Sequence, residues 1–354
     1  MTTRAANEYG YVNARIRGMK SRFLTVGDYE RLLQSPSYED FIRSLVGTYY
    51  GPMITSEYPR EAPEPAELGL VLARDYANIS HKLSKTLSGK VRDFTETYLN
   101  MFLAESIKSI LRGLHVELEK EEMLQFLVPT SPMQAQEFEE LIDTGSVKRA
   151  IEAMPYWDVK IALLTRLPAY EELESTAPLE VAVEEWYLRS VLNALTDFSE
   201  ADRNKVLDVL EARVDLRNAL IMIRALALQL EPRIIDMSMV RFTRKSQSLM
   251  ASFKNSPSWR EVLSKLGGTR YSQLAGRLAR IYEESNDLSE LELAIEDYIA
   301  KRVQLQLSAY PFHLGTVLGF FSLKYYEIRN IRSIAVGLER GESPDNIRRM
   351  ITIW

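Results

Sequence analysis

The chain contains no cysteine and only three histidines, His81, His115 and His313. Disulfide bonds, thiolate catalysis and cysteine metal ligands all require the missing residue. A chain without disulfides is most simply expected in the cytoplasm. The histidines lie far apart in the sequence, and none has a second histidine at metal-binding spacing. The sequence therefore predicts no metal site and no thiol chemistry.

The motifs of common catalytic and cofactor sites are also missing. Lys90 follows Ser88 and Gly89, but Ser84 stands where a phosphate-binding loop needs its first glycine. Neither a G-x-G-x-x-G fingerprint after a strand nor a G-x-S-x-G nucleophile turn occurs. We therefore expect no catalytic residue, no bound cofactor and no small-molecule substrate.

Strand patterns and chain breakers are scarce. The 354 residues include 16 glycines and 14 prolines, and short alternating runs of Val, Ile and Thr are nearly absent. Capping patterns instead predict helix starts at Ser199, Ser289 and Ser343 and helix ends at Gly113 and Gly341. Three prolines make residues 59–65 a loop. The predicted fold class is all-α.

An excess of positive charge is absent as well. The 44 Lys and Arg residues against 49 Asp and Glu residues give a net charge of -5, so nucleic acid is not an expected partner. Apolar residues make up 46% of the chain, which is enough to bury a large core. The length exceeds that of a usual single domain, so several linked helical lobes are expected.

No uninterrupted apolar segment marks a signal peptide or a membrane span. The first twenty residues are interrupted by arginines. Residues 303–323 carry no formal charge and reach membrane-spanning length, but Gln304, Gln306, Pro311 and His313 interrupt them. We expect two protein-buried helices that meet at Pro311, with Gly315 and Gly319 allowing a neighbouring helix to approach closely.

An internal repeat is the strongest positive signal. The segment SPSYEDFIRSLVGTYY, residues 35–50, aligns without a gap on SPSWREVLSKLGGTRY, residues 256–271. A fainter copy, GSVKRAIEAMPYW, covers residues 145–157. Fixed serine, proline, glycine and tyrosine positions are not explained by apolar periodicity alone, so the match indicates repeated structural units.

A second element repeats independently at the same period of about 112 residues. SIKSILRG begins at Ser106, NALIMIRA at Asn218 and NIRSIAVG at Asn330, so successive copies lie 112 residues apart. A diverged version begins at Asn13. The repeat predicts three related helical lobes around a pseudo-threefold axis, at residues 1–105, 106–217 and 218–354, the last with the C-terminal closing helices.

Two of these copies open with matching tetrads, which supply the candidate site residues. The tetrads are Asp215-Leu216-Arg217-Asn218 and Glu327-Ile328-Arg329-Asn330. An acid three residues before an asparagine lies on the same helix face. The predicted role is a buried polar clamp that fixes helix register, as in a pairing of Glu327 with Arg329 or Arg332. The candidate clamp residues are Asp215, Arg217, Asn218, Glu327, Arg329, Asn330 and Arg332.

Two segments of the chain resemble a known family. YGYVNARIRGMKSRFL, residues 9–24, and FHLGTVLGFFSLKYYEIRNIRSIAVGLERG, residues 312–341, resemble the C/d subunits of rotary ATPases, which include the C subunits of archaeal A-type and bacterial V-type complexes. The likeness extends over essentially the full length and is strongest at Lys324, Glu327, Asn330, Ile331 and Arg332. The first copy departs from it, because Leu103 stands where the other tetrads carry an acid.

The resemblance implies a funnel-shaped, non-catalytic subunit of the central stalk. Such a protein would lie on the cytoplasmic face of the cell membrane as a peripheral part of a membrane complex. Its partners would be the membrane rotor ring of proteolipid subunits and the D and F subunits of the central shaft. It would couple the ring to the shaft for ion-driven ATP synthesis or ATP-driven ion transport, and it would not bind nucleotide.

Two other functions stay open on the residues alone. A soluble all-helical interaction scaffold outside any rotary complex would share the repeat and the lack of reactive motifs. An α-helical enzyme with an unrecognised site would need a pocket with converging polar groups. The sequence does not distinguish synthesis from hydrolysis or protons from sodium ions, and it does not identify the residues that contact ring and shaft.

Overall fold

The computed structural model describes residues 3–308 and 313–354, and within these ranges every regular element is an α-helix. The all-α class predicted from the sequence is confirmed. Among the same residues, no helix combines the length and the apolar character needed to cross a bilayer. The helix junction predicted at Pro311 lies outside the described residues.

The chain divides into two compact units. Unit 1 extends to Ser146 and resumes at Ala300, and unit 2 comprises Val147–Ile299. The division into lobes at 1–105, 106–217 and 218–354 stays a prediction, as does their threefold arrangement.

The helices of the two units are numbered here in chain order. Unit 1 begins with α1 (Thr3–Lys20), α2 (Val26–Leu33), α3 (Tyr38–Val46), α4 (Gly51–Glu57), α5 (Pro65–Ser84), α6 (Gly89–His115), α7 (Lys120–Leu124) and α8 (Pro132–Asp143). Unit 2 contains α9 (Val147–Ala153), α10 (Trp157–Leu173), α11 (Ala177–Ala194), α12 (Glu200–Leu228), α13 (Pro232–Ser238), α14 (Arg244–Lys254), α15 (Trp259–Gly267) and α16 (Ser272–Ser285). Helix α17 (Leu288–Ser308) leads back to unit 1, which ends with α18 (Gly315–Glu339) and α19 (Pro344–Arg348).

Helix α18 is the centre of unit 1. Its sequence is apolar on nearly every face, and α1, α3, α5, α6 and α19 pack around it. Glycines let neighbours approach: a Cβ on Gly319 would lie 3.1 Å from the backbone nitrogen of Leu307 and 3.2 Å from the carbonyl oxygen of Val303. The close packing expected at Gly319 is therefore present.

Helix α12 is the corresponding centre of unit 2. It packs against α13, α14 and α15, and residues from Val206 to Ala225 are buried along its length. The start predicted at Ser199 is confirmed, because the Ser199 hydroxyl accepts a hydrogen bond from the amide of Asp202. The tetrads of α12 and α18 are thus held in the middle of each unit, where every polar group needs a partner.

The other helix boundaries predicted from the sequence agree with the structure in part. Ser343 caps α19, and α18 ends before Gly341, whose φ of 71° places it in the left-handed region. The helix end predicted at Gly113 is wrong, because α6 continues through this residue and uses the missing side chain to pack against Met123. The helix predicted to open at Ser289 is present and begins at Leu288, but Ser289 is not its cap, because Asp287 precedes α17 and accepts the Ser289 amide.

The aligned repeat segments fold alike in detail. Helices α3 and α15 are both nine residues long, and Ser37 and Ser258 cap them in the same way. After each helix a threonine hydroxyl donates to a leucine carbonyl oxygen at 2.6 Å, from Thr48 to Leu45 and from Thr269 to Leu266. The gap-free alignment therefore reflects the same helix, cap and turn in the two units.

The Gly319 contact predicts a steep penalty for any larger residue. Gly319→Val would press its side chain on backbone atoms of α17, which cannot rotate away, so unfolding should become easier by about 1–3 kcal/mol. Thermal unfolding followed by circular dichroism measures the change.

Gly276→Ala is the matched control, since no atom lies within 4 Å of the added Cβ inside α16. This substitution should leave stability unchanged or raise it by up to about 1 kcal/mol. Equal effects of the two substitutions would show that close helix approach at Gly319 is not required.

Candidate functional site: buried polar clamps on α12 and α18

The carboxylate of Glu327 is fully buried in unit 1 and has three donors. The backbone N–H of Leu24 donates to Oε2 at 2.6 Å, and the Tyr50 hydroxyl donates to Oε1 at 2.6 Å. Lys324, one turn earlier on α18, donates to Oε1 at 3.1 Å. Leu24 and Tyr50 come from the first fifty residues of the chain and Glu327 from the last thirty. One side chain therefore ties the start of the chain to its final long helix.

Lys324 extends this cluster to a second acid. Its ammonium group is buried, donates to the Tyr50 hydroxyl at 2.7 Å and lies 3.4 Å from the carboxylate of Asp75 on α5. The Tyr49 hydroxyl donates to the other oxygen of Asp75 at 2.9 Å. The rings of Tyr49 and Tyr50 also face the Lys324 ammonium, 4.8 and 4.4 Å from ring centre to nitrogen. A buried cation with these partners is satisfied rather than exposed to an apolar core.

Burial raises the pKa of the two tyrosines of this cluster further above neutral pH. Burial and the nearby Glu327 charge raise the pKa of Tyr50 well above the usual value. Burial and the Asp75 charge raise the pKa of Tyr49 to about 12. Because each hydroxyl keeps its proton at neutral pH, Tyr49 and Tyr50 remain hydrogen-bond donors to the carboxylates.

Helix α12 carries the equivalent cluster in unit 2. The Tyr271 hydroxyl donates to Asp215 at 2.6 Å, as the Tyr50 hydroxyl does to Glu327. The cation comes from a different position: Arg270 donates to the Tyr271 hydroxyl at 2.6 Å and lies 3.9 Å from Asp215. Burial raises the pKa of Asp215, and burial with the Asp215 charge raises the pKa of Tyr271. The acid–tyrosine pair is thus the shared part and the cation is the variable part.

The asparagines of the tetrads hold a backbone segment 22 residues further on. Asn218 donates to the Val240 carbonyl oxygen at 2.8 Å and accepts the Val240 amide at 3.0 Å. Asn330 does the same with Thr352, at 2.6 and 3.0 Å. In the first copy the Ser106 hydroxyl accepts the amide of Val128, also 22 residues on, at 3.2 Å. All three copies use the same position to hold the chain that follows the helix.

The arginines of the predicted site do not pair with the tetrad acids. Arg217 lies 3.7 Å from Glu184 of α11, and Arg329 donates to the Thr352 hydroxyl at 3.5 Å. Arg332 donates to the carbonyl oxygens of Gly69 and Leu127. The expected pairing of Glu327 with Arg329 or Arg332 is replaced by the bonds to Leu24, Tyr50 and Lys324, because the two guanidinium groups lie on other faces of α18.

Sequence reasoning missed the partners of the tetrad acids. Tyr50 and Tyr271 are the last aligned residues of the repeated segment, and each donates to the acid of a tetrad. Two elements that repeat together are expected to touch, and that was the available signal. Asp75 lies in neither repeated element and carried no signal of its own.

The polar groups of the two clusters bind mainly to one another, with Oδ1 of Asp215 the one carboxylate oxygen of the tetrads that is buried without a hydrogen-bond partner in the described part of the chain. In the part of the chain that the structure covers, no cluster of three or more His, Asp or Glu side chains is placed to hold a metal ion. What the clusters can do chemically is fix helix register, because each strong hydrogen bond or ion pair is satisfied in only one alignment.

The asparagine clamp predicts a local and a global effect. Asn218→Ala removes both partners of the Val240 backbone, which is buried, so stability should fall by about 1–3 kcal/mol. Amide hydrogen exchange should also quicken at Val240, which lies after α13, more than it does along α12. The control Asn193→Ala, at an exposed position of α11, should change stability by no more than about 0.5 kcal/mol. Unchanged protection at Val240 would contradict the clamp.

Comparison with known proteins places this chain in a family. The model of the ATP synthase (C/AC39) subunit matches residues 12–350. The C subunit of the A-type ATP synthase of Methanocaldococcus jannaschii is 21% identical, covering 97% of this chain and 86% of its own length. The protein of that name from Haloferax volcanii is 24% identical over the whole of both chains, and that from Methanosphaera stadtmanae is 26% identical, covering 95% of this chain and 85% of its own. The chain therefore belongs to the ATP synthase C/AC39 subunit family.

Proposed function

We propose that this chain is the central-stalk subunit that joins a membrane rotor ring of proteolipid subunits to the central shaft of an A-type ATP synthase. Rotation of the ring would pass through it to the D and F subunits of the shaft. Ion flow would then drive ATP synthesis, or ATP hydrolysis would drive ion transport. The protein would work at the cytoplasmic face of the cell membrane as a peripheral part of the complex.

Family membership over nearly the whole chain is the observation that carries this proposal. The match begins at residue 12 and ends at residue 350, and the curated relatives are named as the C subunits of A-type ATP synthases. As a member of this family the chain is an accessory subunit of an ATP synthase and is not catalytic by itself. The ring and the shaft proteins as specific partners belong to the proposal.

A rotor adaptor has to resist twisting, and the polar clamps support that requirement. An adaptor that deformed freely would twist when the ring turns. The rotation of the ring would then not be transmitted fully to the shaft. In unit 1 the Glu327 cluster joins the N-terminal segment, α5 and α18 by buried bonds that hold only one register. Close-packed interiors also transmit strain because they compress little. Torque could thus pass through packing and bonds without any reacting group.

Co-purification distinguishes this function from that of an unrelated helical scaffold. The full chain, tagged and expressed in its own cells, should bring down the proteolipid and both shaft proteins from detergent-solubilised membranes. A scaffold outside the rotary complex would bring down neither. A variant with Arg260→Gln, a single change on the exposed side of unit 2, should retain the same partners as a control.

Truncation of the chain before Tyr326 should uncouple ATP hydrolysis from ion transport. The cut removes Glu327, Asn330 and the rest of α18, so unit 1 loses both its acid cluster and its backbone clamp. ATP hydrolysis by the complex should then continue while ATP-driven ion uptake into membrane vesicles falls to background. Both rates are measured on the same vesicles, with full-length chain as reference. Full coupling in vesicles whose only copy is truncated would refute the proposal, whether or not the fragment folds.

A further inference from the structure

Unit 1 contains a cavity of about 430 Å³ that none of the preceding functions uses. Its walls come from α5, α6, α18 and the segments around α7 and α19. The size falls within the usual range of small-molecule pockets, about 300–1,000 Å³. Cavities of that size in close-packed interiors are few, and the residues that line this one determine which ligand it would accept.

Arginine is the dominant charged residue of the lining. Arg112, Arg329, Arg332 and Arg340 all face the cavity, against two acids, Glu105 and Glu342. Glu105 is already paired with the ammonium of Lys108 at 2.7 Å. By formal charge the lining therefore carries four positive and two negative side chains, an excess of two positive charges. Like charges gathered around one partly open cavity repel one another, and an anion bound between them relieves that repulsion.

Among the residues that the structure describes, Arg332 is the clearest example of a positive charge in the lining that has no acidic partner. One of its nitrogens, Nη2, donates to the carbonyl oxygens of Gly69 and Leu127, at 2.7 and 3.3 Å. Its Nε–H is buried without a partner, and across the described ranges no carboxylate lies within ion-pair distance. Burial lowers the pKa of Arg332 to about 10. A buried guanidinium that lacks a counter-ion is costly unless an anion is supplied from outside the chain.

The rest of the lining is apolar and in part exposed. Phe102 and Tyr325 form an aromatic wall, while Phe126 and Met350 contribute large apolar side chains that are 59% and 53% exposed. Large exposed apolar side chains beside a pocket favour a ligand with an apolar portion. The charged part of such a ligand would lie toward Arg332 and its apolar part toward Phe126 and Met350.

We propose that this cavity binds a phosphate monoester that carries an apolar group, held by Arg332 together with Arg112, Arg329 and Arg340. A phosphate monoester has close to two negative charges at neutral pH, which matches the excess of the arginines, whereas a single carboxylate supplies one. Guanidinium groups also bind phosphate through paired hydrogen bonds. The same chemistry is found in a free phosphorylated small molecule and in a lipid with a phosphate headgroup.

Calorimetric titration of the full chain tests the site with defined probes. Phenyl phosphate should bind to one saturable site, and inorganic phosphate, which lacks the apolar group, at least about tenfold more weakly. Dihexanoyl phosphatidic acid, kept below its micelle concentration, is the lipid probe. Tighter binding of this lipid than of phenyl phosphate would identify a headgroup as the ligand, and the reverse order would identify a free phosphorylated compound.

Charge-removing variants connect the binding to the arginines. Arg332→Gln and, separately, the exposed Arg340→Gln should each weaken phenyl phosphate binding at least about tenfold. Arg340→Gln tests the site even if Arg332→Gln impairs folding, because Arg340 lies on the surface. Arg43→Gln makes the same charge change on exposed α3, away from the cavity, and should leave binding within about twofold. No saturable binding of any probe, or binding that both cavity variants leave unchanged, would overturn the proposal.

Discussion

The buried carboxylate of Glu327 is the interaction on which the structure of unit 1 depends. It accepts hydrogen bonds from the Leu24 amide, the Tyr50 hydroxyl and Lys324, and so joins the first fifty residues to the last long helix. A charge placed this deep is unfavourable without such partners and specific with them, because only one register brings all three donors together. The chain is thereby closed on itself: α18 near its C-terminus is completed by a segment from near its N-terminus.

Unit 2 reaches the same result within a continuous stretch of chain. Asp215 of α12 meets Tyr271, 56 residues later, where Glu327 of α18 meets Tyr50, 277 residues earlier. In unit 2 the segment that supplies the tyrosine, residues 256–271, follows α12 in the chain, whereas in unit 1 the matching segment, residues 35–50, precedes α18. The same pair of repeated elements thus meets in both units, but in the opposite order along the chain. The stiffness that the proposed function requires would rest on these two clusters.

Much of this fold is accessible from the sequence because local physics decides it. Ser199 and Ser343 are correctly predicted as caps, since a hydroxyl next to free amides acts within one turn. The role of Gly113 is not predictable in this way, because Met123 sets it across a tertiary contact that no local pattern contains.

Repetition identifies the clamp acids and asparagines but not the groups they bind. Leu24, Asp75 and Thr352 are joined to the clamps only by the folded chain, so no spacing in the sequence connects them. The arginine-lined cavity has no sequence signal at all, since its four arginines are separated by as many as 228 residues.

A double-mutant cycle between Tyr50 and Glu327 tests the central claim most directly. Unfolding free energies would be measured for the original chain, Tyr50→Phe, Glu327→Gln and the double variant, by denaturant titration of the full chain. If the pair joins the two ends of unit 1, the two substitutions should be coupled by at least about 1 kcal/mol, as expected for residues in one buried network. Additive effects, with coupling below about 0.3 kcal/mol, would contradict it and leave the closure of the chain to apolar packing alone.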